Sequence, residues 1–321
     1  MNPFVDCAIL IKLILLFFKL KYGAAKNAID SGLFFLRHPG LREIYKMSDS
    51  RPIGVFDSGL GGLTVMRELI KVMPNENIVY FGDTGRVPYG ARGRDTIIKY
   101  AKQDESFLLS KDVKMIIAAC GTVSSVAPHT GALLPVPFME VVTHAAKKAA
   151  EVTKNRKIGV IATPATVKSN AYKMRIMEIL PDAEVFQKDC PLFVPLVESG
   201  WIDRNDPITV NTAQRYLKGL KEQSIDVLIM GCTHYPVITD IIRDIMGEGV
   251  TLVNVGECTA KAAKAYIEAH GLANPNENIG THHYFVSDRM ESFSDTASIL
   301  MGSSITGSVE LVDIDHFKAI I

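Results

Sequence analysis

Two stretches, Met115-Ile116-Ile117-Ala118-Ala119-Cys120-Gly121-Thr122 and Leu228-Ile229-Met230-Gly231-Cys232-Thr233, decide how this chain folds. Each is a short apolar run that ends in a cysteine and then a threonine. A run of this length bounded by small polar residues reads as a strand buried on both faces, the kind found inside parallel sheets. Upstream of each lies a second repeated strand, Pro52-Ile53-Gly54-Val55 in the first half and Lys157-Ile158-Gly159-Val160 in the second. Both copies are followed by a turn and a helical pattern. Each half therefore opens on one strand and later offers another that ends in a thiol.

Between these landmarks, strands alternate with helices. Residues 53–56, 78–81, 114–119, 157–161, 185–186, 227–230 and 252–255 read as strands, with 284–286 as a further one. Helical periodicity runs through 62–73, 96–110, 167–180, 210–223, 237–246 and 259–270. Regular alternation implies βαβ units, so the expected fold class is α/β, with two similar doubly wound domains of mostly parallel sheet facing a central cleft. The expected first domain is 51–142 plus 254–315, and the second is 143–253. The chain returns to the first because its last helix and strand need a sheet to cover.

Length and composition bound the rest. The chain has 321 residues, enough for two domains, and 35 basic against 35 acidic side chains. A balanced charge offers no electrostatic case for nucleic acid as the main ligand. The five cysteines (Cys7, Cys120, Cys190, Cys232, Cys258) are odd in number, far apart, and form no CxxC pair. That speaks against a disulfide framework or a zinc ribbon and for a reducing compartment with free thiols. The apolar run 7–18 is too short to span a bilayer and lacks the flanks of a signal peptide, although an amphipathic surface segment fits it. Met47 followed by Ser48-Asp49-Ser50-Arg51-Pro52 has the look of a translation start. Residues 1–46 are accordingly expected to be an extension outside the catalytic body.

In parallel sheets, ligands sit beyond the carboxyl ends of strands, where Cys120 and Cys232 both fall. A lone cysteine at a strand end is usually structural. The matched setting of these two argues otherwise, while Cys7, Cys190 and Cys258 lack it. Two thiols suit inversion of a stereocentre, which needs a proton taken from one face and another given to the opposite face. A thiol titrates close enough to neutrality for either form to be reached. A cysteine phosphatase would place Arg six residues after the nucleophile, where this chain has Val126. Cys232 and His234 alone do not make a metal site.

Other residues allow two readings each. Asp57-Ser58-Gly59-Leu60-Gly61-Gly62 lies between a strand and a helix but matches neither a phosphate-binding loop nor a dinucleotide fingerprint. It is a tight glycine turn, or a set of backbone amides able to hold a carboxylate, with Asp57 assisting a thiol or an ammonium group. Glu198 is a surface charge or a buried acid. His234 beside Cys232 is a structural histidine or a proton partner. His282 and His283 are expected to be exposed.

Taken together, Ile53 to Gly62, Asp83 to Pro88-Tyr89-Gly90, Cys120-Gly121-Thr122, Pro191 to Glu198, and Gly231-Cys232-Thr233-His234-Tyr235-Pro236 resemble the glutamate racemase branch of the aspartate/glutamate racemases. The likeness runs from about residue 51 to about 315, in order. It implies that Cys120 exchanges a proton on one face of the substrate, as base toward the D-isomer, and Cys232 on the other, toward the L-isomer. Asp57 would support the first thiol, and Glu198 and His234 the second. Asp57, Ser58, Tyr89, Gly90, Gly121, Thr122, Thr233 and His234 would hold the amino acid. It further implies no cofactor (no pyridoxal phosphate), a cytoplasmic homodimer, and supply of D-glutamate for peptidoglycan; the residue readings above add the expectation of no metal and no need of a membrane. One departure stands out, since the family usually has Asn where this chain has Gly121, which bears on affinity and substrate range. Two other readings stay open. One is an aspartate racemase, which usually carries Glu at the position of His234. The other is a non-catalytic relative that binds an acidic ligand or a protein partner, as in the gyrase inhibition associated with some members.

Overall fold

The computed structural model describes residues 48–288, 293–305 and 309–318. The expected extension 1–46 lies outside the described residues. Among them the strands are β1 (Ile53–Asp57), β2 (Ile78–Gly82), β3 (Met115–Ala118), β4 (Phe138–Glu140), β5 (Lys157–Ala162), β6 (Glu184–Asp189), β7 (Val227–Met230), β8 (Thr251–Asn254), β9 (His282–Val286) and β10 (Val309–Leu311). The helices are α1 (Leu63–Val72), α2 (Arg94–Ser110), α3 (Gly121–Val126), α4 (Val141–Val152), α5 (Pro164–Ser169), α6 (Ala171–Ile179), α7 (Phe193–Glu198), α8 (Pro207–Glu222), α9 (Thr239–Met246), α10 (Val255–Ala269) and α11 (Phe293–Met301).

Two sheets form, with strand orders β10-β9-β2-β1-β3-β4 and β6-β5-β7-β8. Every pairing in both is parallel. The α/β class with two parallel sheets is thus the observed one. From β1 the first sheet grows toward β2 and then reverses to β3. From β5 the second grows toward β6 and then reverses to β7. Each reversal is a switch point, where adjoining crossovers lead to opposite faces and leave a crevice at the strand ends. Asp57 ends β1 and Cys120 follows β3; Thr163 follows β5 and Cys232 follows β7.

The central strands are buried on both faces, so their apolar runs are nearly continuous. Side chains alternate between two cores. Ile53 and Val55 join one apolar cluster, while Phe56 joins the other with Phe81, Phe107 and Ile116. The larger cluster is continuous across both sheets. Helix α10 makes it so by packing on α1 beside the first sheet and on α4 beside the second. Burying one such Val, Ile or Leu side chain stabilises the fold by about 1.5–3 kcal/mol. The base of the first sheet is closed by Lys114, whose Nζ meets Glu76 Oε2 at 2.5 Å and the carbonyls of Asp49 and Leu272 at 2.7 Å each.

Some local readings change. The helical pattern 167–180 is two helices, because Asn170 takes a left-handed conformation (φ 58°) and Pro164 starts α5 earlier. The pattern 237–246 opens with a 3-10 turn, Tyr235–Ile238, before α9. Short edge strands β4 and β10 were not legible, since three residues carry no periodicity. His283 is exposed, but His282 is half-buried, because it enters β9 opposite Ile78 of β2.

Candidate active site

The carboxyl ends of the two sheets enclose a cleft of about 440 Å3. Its wall contains Asp57, Ser58, Tyr89, Gly90, Cys120, Gly121, Thr122, Glu198, Cys232, Thr233 and His234, so the structure brings together the residues singled out from sequence. Cys190 is buried elsewhere, with its sulfur 3.7 Å from the Lys188 carbonyl, and Cys258 sits part-exposed on α10. Cys7 lies outside the described residues.

Cys120 caps the start of α3, and its sulfur lies 3.4 Å from Ser58 Oγ. Burial, reinforced by the charge of Asp57, pushes its thiol up to about 12. Asp57 is itself buried, and desolvation holds its carboxyl above the ordinary range. One of its oxygens accepts the Gly59 amide at 3.0 Å, which closes the glycine turn. The carboxyl thus stands close enough to Cys120 for its charge to act on that thiol.

Cys232 faces different neighbours. Its sulfur is 3.8 Å from His234 Nδ1, and His234 Nε2 is 2.9 Å from Glu198 Oε1. Burial alone would lower the imidazole, but its bonds to Cys232 and Glu198 outweigh burial and lift it to about 10. The ring is thus held as a cation between a sulfur and a carboxylate. Glycine is required at Gly61 for this packing, since a Cβ there would stand 2.3 Å from the His234 ring.

Polar groups complete the wall. Thr122 Oγ1 lies 3.2 Å from Thr163 Oγ1, which joins the two sides of the cleft through hydroxyls. Tyr89 lines the cleft, yet its hydroxyl points away and donates to Asp83 and, at 3.0 Å, to Asp104. Arg86 spans the same two carboxylates, at 2.6 Å and 3.1 Å. The Tyr89 hydroxyl is therefore engaged outside the cleft wall. Among the described residues no group of three or more His, Cys, Asp or Glu side chains is arranged to hold a metal ion.

Sequence reasoning missed Thr163 and the apolar wall of Pro164, Val194 and Pro195. A signal for Thr163 existed: extending the repeat from Ile53-Gly54-Val55 and Ile158-Gly159-Val160 sets Thr163 opposite Ser58.

Two parallel sheets whose switch points share one cleft define an α/β enzyme that works on a small ligand held between two lobes. The chain belongs to the Asp/Glu/Hydantoin racemase family, whose pattern matches residues 65–263, a span that includes Cys120, Glu198, Cys232 and His234. It is 45% identical to the glutamate racemase of Thermoanaerobacter pseudethanolicus over 84% of this chain and 100% of that one. The glutamate racemase of Francisella tularensis, solved in complex with D-glutamate, superposes with a TM-score of 0.78 at 36% identity, covering 84% of this chain and 100% of its own. The aspartate racemase of Picrophilus torridus shares the fold alone, at 16% identity and a TM-score of 0.52, over 69% of this chain and 94% of its own. No helix among the described residues is long and apolar enough to cross a membrane.

Proposed function

We propose that this chain interconverts L-glutamate and D-glutamate by proton transfer between Cys120 and Cys232, without a cofactor. The observation that carries the reading is that both thiols border one cleft, each just past a central strand of its own sheet. In the L-to-D direction, Cys232 as thiolate takes the α-proton, and the C–H electron pair passes to the α-carbon and its carboxylate. Cys120, held as a thiol by burial, gives its proton to the opposite face. The enzyme is left with a protonated Cys232 and an ionised Cys120, and exchange with solvent or the reverse reaction restores the start. The His234 cation steadies negative charge on Cys232, Glu198 orients the ring, and Asp57 attends Cys120. Ser58, Thr122, Thr233 and the backbone of Tyr89, Gly90 and Gly121 hold the amino acid. Apolar walls exclude water, which strengthens polar contacts to the carbanion.

The relatives' names favour glutamate over aspartate, as does His234 in place of Glu. Paired thiols, which binding alone does not require, favour catalysis over a purely binding role. In this reading residues 51–142 with 254–315 form one domain and 143–253 the other, the division that sheet membership supports. The product serves peptidoglycan synthesis, and the enzyme acts in the cytoplasm as a homodimer. Nucleic acid is not its main ligand, and it needs no membrane.

The test is turnover of each enantiomer of glutamate and of aspartate in deuterated water. Glutamate should invert, with solvent deuterium in the newly made enantiomer, and Cys120→Ala or Cys232→Ala should abolish inversion. Inversion of aspartate but not glutamate, or full activity in either variant, would overturn the reading.

A further inference from the structure

Gly121 follows the first thiol, and what faces it across the cleft is main chain of the other lobe. A Cβ on Gly121 would stand 2.6 Å from the carbonyl oxygen of Gly231 and 3.9 Å from Cα of Cys232. The first distance is well inside carbon–oxygen contact. The obstructing oxygen is main chain rather than the end of a flexible side chain, and the same residue is tied to the second sheet through its amide, which donates to the Ile161 carbonyl at 2.7 Å. The other flank of the same segment is equally close. A Cβ on Gly61 would meet Thr233 Oγ1 at 2.5 Å, and the Thr64 hydroxyl donates to the Thr233 carbonyl at 2.7 Å. The segment bearing the second thiol is thus seated on bare glycine backbone of the first lobe.

We propose that Gly121 is a positioning residue: its missing side chain lets the Cys120 segment abut the Gly231 carbonyl, and this contact sets the spacing of the two thiols. The proposal rests on the two-thiol reading above. It gives Gly121 a task of its own, beyond the loss of a polar contact that the sequence suggests. A side chain at this position must part the two segments by a large fraction of an ångström. Displacements near 1 Å can cost roughly 100-fold in rate when reacting groups must be aligned.

A wider spacing has a specific chemical signature. The thiolate that removes the α-proton still reaches its own face, but the opposing thiol delivers less well. The protonated sulfur then exchanges with solvent and returns a deuteron to the face it came from. Deuterium enters the starting enantiomer without inversion.

The experiment measures, in deuterated water, deuterium uptake into the unreacted enantiomer and into the inverted one for the native chain, Gly121→Ala and Gly121→Asn. We expect both variants to lose about ten-fold in kcat and to raise the ratio of exchange to inversion at least three-fold. Partial unfolding lowers both rates alike and leaves the ratio unchanged. A Gly121→Ala variant within two-fold of native in kcat and ratio overturns the proposal. So does a Gly121→Asn variant that lowers KM at an unchanged ratio, which would make Gly121 a lost contact only. If neither variant folds, Thr64→Val, which cuts the neighbouring tether, is read in the same way: a raised ratio supports the spacing role and an unchanged one overturns it. Failure of the native chain to invert glutamate would instead reject the racemase reading, a separate result.

Discussion

Glu198 Oε1 lies 2.9 Å from His234 Nε2, and the other nitrogen of that ring lies 3.8 Å from the Cys232 sulfur. A carboxylate, an imidazole and a thiol thus stand in line on one side of the cleft. Cys120 instead stands 3.4 Å from Ser58 Oγ and under the charge of the buried Asp57 carboxyl, and among the described residues its sulfur has no hydrogen bond to an imidazole. Two thiols proposed to exchange roles therefore rest in unlike surroundings.

The first consequence concerns reactivity. Thiolate is the nucleophile, and Cys120 is held as a thiol up to about pH 12 by burial and by Asp57. Limited treatment with iodoacetamide at pH 8 should modify Cys232 well before Cys120, as read by peptide mass spectrometry. Glu198→Gln, which weakens the His234 cation, should narrow the difference. Faster labelling of Cys120 would contradict the asymmetry.

Stability should depend on pH through His234. Burial lowers its pKa, and the bonds to Cys232 and Glu198 more than reverse this, so the folded value of about 10 lies above the ordinary 6.5. A raised pKa contributes stability that is fully present below about pH 6.5 and lost as pH climbs through about 10. Urea midpoints should fall across this window in the native chain, and the fall should be shallower in His234→Gln. The same variant should lose about 100-fold or more in turnover, the scale of a lost proton partner.

Glu105 makes a prediction far from the cleft. Buried, and accepting the Thr130 hydroxyl, it has a carboxyl raised to about 7, with desolvation the main cause. Its sign is that of His234: stability is present below about pH 4.5 and lost as pH rises through about 7. Glu105→Gln keeps an acceptor for Thr130 without a charge. It should raise stability by about 1–3 kcal/mol at pH 8 and change little at pH 4.5, as checked by urea unfolding at both values.

Tyr89→Phe tests the anchoring of the Pro88-Tyr89-Gly90 loop. The change removes a buried donor to Asp83 and Asp104, and burial followed by the charge of Asp83 already lifts the Asp104 carboxyl well above its usual range. Loss of one partner from such a group costs about 1–3 kcal/mol. KM should rise several-fold while kcat falls less, because the hydroxyl anchors the loop from outside the cleft. A large fall in kcat at constant KM would place Tyr89 in the chemistry instead.

Much of this protein can be read along the chain, and the reason is local. Strands buried on both faces must be apolar at nearly every position, so β1, β2, β3, β5 and β7 announce themselves without knowledge of their neighbours. A repeated strand ending in a thiol is equally a property of short segments, and it singled out Cys120 and Cys232. What the linear order could not contain is proximity between distant segments. The Thr122–Thr163 hydroxyl contact joins residues 41 apart in the chain, and the seat of His234 on Gly61 joins residues still further separated. Nor could it tell that the Tyr89 hydroxyl turns toward Asp83 and Asp104, since orientation is set by which partners packing leaves within reach. Pattern determined which segments form strands and which thiols match, because each depends on a few adjacent side chains. Only the packed lobes decided that Gly121 meets a carbonyl and that His234 is held as a cation, because both arise from groups brought together by burial.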